Sequence, residues 1–135
     1  NPIEAHEYLG NSVEGKDVIV IDDMISSGDS ILDVARRLKE RKAARIFVFA
    51  SFGLFTNGLE EFDKAYDAGL ITKIFTTNLV YRTDELKKRA WYREVEMSKY
   101  IAYIIDTINY DKSLSELLDP ADRIKKLLAK SADRK

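Results

Sequence analysis

At 135 residues, with 45% apolar and 33% charged side chains, the chain has the size and balance of one globular domain with a buried core. Its net charge of −1 provides no electrostatic basis for binding nucleic acid or an anionic membrane surface. The absence of cysteine excludes disulfides and thiolate metal sites and fits a reducing cytoplasm, and no apolar stretch approaches the roughly 20 residues of a membrane-spanning helix.

The amino terminus lacks both an initiator Met and the layout of a signal peptide, so the chain is expected to be part of a longer polypeptide. His6, the only histidine, has no acidic or hydroxyl partner at a telling spacing and is expected at the surface. After a polar lead-in ending at Gly15, residues 17–21 predict a strand buried on both faces. Ile31, Val34, Ala35 and Leu38 recur at helical spacing, opposite a basic side that includes Arg36, Arg37, Lys39 and Arg41 and reads as solvated. Residues 46–50 predict a second buried strand. Leu59, Phe62 and Tyr66 form the next helical stripe, with Gly69 as its C-terminal stop. Residues 74–77 predict a third strand, 78–91 a loop that turns basic, and 92–95 a fourth strand. Ile101, Ile104, Ile105 and Ile108 then form a helical face with Ser98 placed to cap it. In the tail, Ser113 with Glu116 has the spacing of a capping box, Pro120 suits a first helical turn, and Ile124, Leu127 and Leu128 continue as an amphipathic helix. Strands alternating with helices predict an α/β fold with a mostly parallel sheet flanked by helices. With three or four strands the sheet reads as an incomplete domain.

The chemistry concentrates in "VIVIDDMISSGDS", residues 18–30. In an open α/β sheet, ligands bind outside the carboxyl ends of the strands. Asp22 and Asp23 are expected at such an end, and residues 26–30 lead into a helix whose first N–H groups welcome an anion. Ser26, Ser27 and Ser30 add hydroxyl donors, and Gly28 permits close backbone approach or a positive φ. Charge-assisted hydrogen bonds contribute about 1.5–3 kcal/mol each, so three or four hold a phosphate monoester without a lysine. The paired carboxylates suit a neighbouring diol or a hydrated Mg²⁺. A phosphate cradle beside a diol reader amounts to a ribose 5-phosphate site. The bland alternative is an acidic surface turn in which Asp29 or Ser30 caps the helix.

Other nucleotide motifs do not match: no Gly-Lys-Ser/Thr closes a P-loop, and there is no G-x-G-x-x-G. A receiver domain also ends its first strand in an acidic pair, but it needs a phospho-accepting Asp after a later strand. Residues 51–53 are Ser-Phe-Gly.

Residues 18–30 resemble the phosphoribosyl-pyrophosphate-binding motif of the phosphoribosyltransferase fold. "EGKDVIVIDD", "FASFGLFTNG" and "VEMSKYIAYIIDTINYDKSLSELL" narrow the resemblance to the carboxyl-terminal part of ribose-phosphate pyrophosphokinase. The likeness implies a partial domain over residues 1–118 and a helical extension over 119–135. It also implies that Asp22 and Asp23 contact ribose hydroxyls, while Ser26, Ser27, Gly28, Asp29 and Ser30 hold the 5-phosphate; the metal position is left open, with Asp22 and Asp23 as the candidates. Thr56, Asn57 and Gly58 match a turn near a regulatory phosphate or nucleotide site. Enzymes of this family are cytoplasmic oligomers that transfer diphosphate from ATP to ribose 5-phosphate with Mg²⁺, giving phosphoribosyl pyrophosphate. Because the family's ATP-binding and flexible catalytic elements precede this region, no catalytic residue is expected here, and the 135 residues alone are expected to be inactive. The motif departs from the family at Ser26, Ser27 and above all Asp29, which stands where a second glycine is usual. A nucleobase phosphoribosyltransferase and a non-catalytic sugar-phosphate-binding regulator are the competing readings. Arg82, Lys87, Lys88 and Arg89 are further candidates for anionic ligands, and Trp91 and Tyr92 for the core.

Overall fold

The computed structural model describes residues 10–115 and 119–132, so His6 and the Glu116 half of the capping box lie outside the described residues. The chain forms two compact units, Asn1–Glu96 and Met97–Lys135.

In the first unit the elements alternate: β1 (Val18–Ile25), α1 (Asp29–Glu40), β2 (Ile46–Gly53), α2 (Glu60–Asp67), β3 (Lys73–Thr77), α3 (Asp84–Lys88) and β4 (Tyr92–Val95). The four strands form one sheet in sequential order, every pair parallel. This is the α/β architecture that the alternating pattern predicts.

Val18 pairs with Ile46, Val20 with Val48 and Asp22 with Ala50, so these residues share one face of the sheet. Ile46, Val48, Ala50 and Ile74 are buried in one cluster with Ile31, Leu32, Ala35 and Leu38 of α1, Phe62 and Ala65 of α2, and Leu86 of α3. Fully burying an aliphatic or aromatic side chain of this kind contributes about 1.5–3 kcal/mol, so this cluster dominates the fold's stability. The expectation of strands buried on both faces is corrected here. Ile19 is 62% and Ile21 81% exposed, because β1 is an edge strand and the unit's buried cluster lies on one side of the sheet. On that other side Phe49 and Phe75 stack with centroids 4.4 Å apart.

The helix ends follow local chemistry. Gly69, at φ +69, donates its N–H to the Tyr66 carbonyl at 2.9 Å just past α2, the left-handed stop that its position predicts. The stretch 78–91 is not wholly loop: α3 begins where the Thr83 hydroxyl accepts the Leu86 N–H at 3.1 Å.

In the second unit, α4 (Ser98–Asn109) carries the isoleucine stripe and α5 (Ala121–Ala132) carries Ile124, Leu127 and Leu128, which are exposed. The cap position of α4 falls on Met97, one residue before Ser98. Asp119 starts α5 by accepting the Ala121 N–H at 2.9 Å, and the Pro120 carbonyl accepts the Ile124 N–H. Among the described residues no helix is long and apolar enough to cross a membrane.

Candidate functional site: the turn between β1 and α1

The acidic pair does not end its strand; it lies inside it. β1 runs on to Ile25, with Met24 opposite Phe52 and Ile25 opposite Gly53. Successive strand residues point to opposite faces, so the two carboxylates leave the backbone in different directions. Asp22 is half-buried and Asp23 exposed, in keeping with this. Two like charges are therefore tolerated in adjacent positions. The alternation then slips: Asp23 and Met24 are both exposed, and Ile25 returns to the core at 1% exposure. Asp22 Oδ1 accepts the Asp23 N–H at 2.8 Å. Among the described residues neither carboxylate enters an ion pair.

The turn that follows is open to solvent but held at its base. Ser26, Asp29 and Ser30 are exposed, Ser27 is half-buried and Gly28 is buried. Gly28 has φ +97, and a Cβ on it would come 2.1 Å from the Cζ of Phe62. Only glycine fits both conditions. Phe62 is itself clamped in an aromatic group, edge-on to Phe55 at 5.1 Å and stacked on Trp91 at 5.5 Å. Gly28, at the N-cap position of α1, supplies no side-chain cap of its own. The Ser27 hydroxyl donates to Asp29 Oδ2 at 2.9 Å, so Asp29 faces back over the turn.

The second predicted stretch lies beside the first. The N–H groups of Leu54 and Thr56 bond the carbonyls of Ile25 and Ser26 at 2.8 and 3.0 Å. Thr56, Asn57 and Gly58 are exposed on that turn. This turn also borders a cavity of about 490 Å³, lined by Asn57, Gly58, Glu60, Tyr81, Thr83 and Arg89 among others. None of residues 22–30 lines it. Sequence reasoning missed Tyr81 and Thr83, because no spacing rule links residues 57 and 83.

Three of the four basic candidates are engaged structurally. Arg82 pairs with Glu94 at 2.6 Å and bonds the carbonyls of Asn78 and Val80. Arg89 Nε lies 3.1 Å from Asp63 Oδ1, the oxygen that also accepts the Trp91 indole N–H at 2.7 Å. Lys87 is 3.4 Å from Asp84, and Lys88 is exposed.

With this geometry in place, residues 7–119 match the phosphoribosyl synthetase-associated domain. The chain belongs to that family. It is 28% identical over 113 residues to the ribose-phosphate pyrophosphokinase of Mycoplasmopsis pulmonis, covering 82% of this chain and 34% of that protein. It is 31% identical over 112 residues to that of Haemophilus influenzae, covering 83% and 35%. The fold resembles a solved phosphoribosylpyrophosphate synthetase from Mycobacterium smegmatis, with a TM-score of 0.65 and 22% identity over 76% of this chain and 33% of that one. The chain thus spans about a third of the length of the relatives it matches.

Proposed function

We propose that this chain is the carboxyl-terminal, ribose 5-phosphate-binding part of a ribose-phosphate pyrophosphokinase. The observation that carries the reading is an acid pair that enters no ion pair among the described residues and runs into an open hydroxyl turn at the start of α1, in a chain of this family. Asp23, with the free oxygen of Asp22, accepts the ribose hydroxyl protons. The hydroxyls of residues 26, 27 and 30 and the N–H groups at the start of α1 receive the 5-phosphate. The whole enzyme would then transfer the diphosphoryl group of ATP to the sugar's C1 hydroxyl, a reaction that depends on positioning and charge neutralisation. The 135 residues alone do not catalyse it in this reading, and the parent acts as an oligomer in the cytoplasm.

Mg²⁺ fits a limited role. No group of three His, Cys, Asp or Glu side chains gathers among the described residues. Mg²⁺ is commonly held by one or two carboxylates together with substrate phosphates, and either Asp22 or Asp23 would suit that mode as the single protein carboxylate. Bound there, it would neutralise phosphoryl charge.

Calorimetry tests the proposal. Ribose 5-phosphate is expected to bind more tightly than ribose or inorganic phosphate, and Asp22→Asn with Asp23→Asn is expected to erase the advantage. Equal affinity for all three would overturn it.

A further inference from the structure

Asp29 places a carboxylate where the turn is proposed to receive an anion. It is the first residue of α1, it is exposed, and its Oδ2 takes the Ser27 hydroxyl at 2.9 Å. The Asp29 N–H in turn reaches the Ser27 Oγ at 3.4 Å. A serine hydroxyl has one proton to donate. While Asp29 holds it, Ser27 has no donor for a phosphate oxygen, and an arriving dianion also meets a fixed negative charge. The backbone offers little relief, because Gly28 sits under the Phe62 ring at a positive φ. Freeing the proton therefore costs the Ser27–Asp29 bond, whether the Asp29 side chain turns away or the Ser27 hydroxyl rotates its proton toward the phosphate.

We infer that Asp29 is a specificity-determining residue that acts as an internal competing anion and holds down the turn's affinity for a phosphate dianion. The inference rests on the proposed phosphate-binding role of residues 26–30. It also gives the turn a property absent from an all-hydroxyl cradle. Removing one side-chain charge strengthens binding, and removing the Ser27 hydroxyl as well cancels part of the gain.

The test is calorimetry on the 135-residue chain with inorganic phosphate and with ribose 5-phosphate, at low salt. Asp29→Asn keeps the side-chain shape and an acceptor for Ser27 while removing the charge. It is expected to tighten inorganic phosphate about fivefold or more, the factor that one unit charge about 4 Å away exerts through water. Asp29→Gly is expected to act in the same direction, so a folding defect in one variant does not decide the matter. Asp29→Asn with Ser27→Ala is expected to bind less tightly than Asp29→Asn alone. Unchanged or weaker phosphate binding in both Asp29 variants overturns the inference. If ribose 5-phosphate binding then still depends on Asp22 and Asp23, the proposed function stands without it. If both variants tighten phosphate but ribose 5-phosphate binds no better than phosphate, the inference stands and the sugar-binding reading fails.

Discussion

The Phe62 ring occupies the space into which any side chain at position 28 would project, with its Cζ 2.1 Å from an ideal Cβ. This contact ties the candidate binding turn to the core across 34 residues of sequence, since Phe62 is fully buried. Gly28→Ala combines overpacking with a disfavoured positive φ, so it is expected to destabilise the chain by about 2–4 kcal/mol. Urea denaturation checks this. Gly28→Ala with Phe62→Leu should cost less than the sum of the two single changes, because each alters the same contact. Additive costs would show that the ring yields freely.

Thr76 and Tyr92 form a buried polar pair between neighbouring strands, their hydroxyl oxygens 2.8 Å apart, at 0% and 2% exposure. Tyr92→Phe leaves the Thr76 hydroxyl with only a long 3.5 Å contact to the Thr77 carbonyl and is expected to cost about 1–3 kcal/mol. Replacing both, with Thr76→Val, removes the unsatisfied group and should recover part of that loss. Thermal melts of the two single variants and the double variant measure the coupling. A double variant less stable than the sum of the singles would contradict the pairing.

Asp17 and Arg45 form an exposed ion pair, with Arg45 Nε 2.9 Å from Asp17 Oδ1 and Nη2 on the other oxygen. Its hydrogen bonds with Arg45 hold the Asp17 carboxyl below its ordinary value of 3.8, the accompanying attraction adding to them against the opposing effect of desolvation. A depressed folded-state pKa stabilises above the unfolded value and loses that contribution as pH falls through the folded one. Asp17→Asn should therefore lower the melting temperature slightly at neutral pH. The gap from wild type should close as the medium is acidified below the usual carboxylate range. A gap that stays constant with pH would assign the effect to something other than the charge.

The parts of this structure readable in sequence are those set by periodicity. The stripe Ile31, Ala35 and Leu38 locates α1 by the helical period, while β2 is located by the uninterrupted apolar run over 46–50, whose alternating burial appears only in the fold. β1 reads too short, since Asp22 and Asp23 interrupt its apolar run. Their place in the strand is set by pairing with β2, which is tertiary. The exposure of Ile19 and Ile21 was equally hidden, because an apolar run does not say which face is covered. α3 has five residues and one buried side chain, Leu86, too little for a stripe. The acid pair and hydroxyl turn were legible as a motif. Their control was not: the Ser27–Asp29 bond depends on rotamers, and the Gly28–Phe62 contact joins distant parts of the chain.

In the proposed function, the turn between β1 and α1 receives the phosphorylated end of a pentose. Amide chemical-shift mapping during titration of the 135-residue chain with ribose 5-phosphate tests it most directly. The largest shifts are expected at residues 26–30, smaller ones at 22 and 23, and none at 26–30 when ribose replaces the sugar phosphate. Shifts centred on Tyr81, Thr83 and Arg89 around the large cavity, with residues 26–30 unmoved, would contradict it.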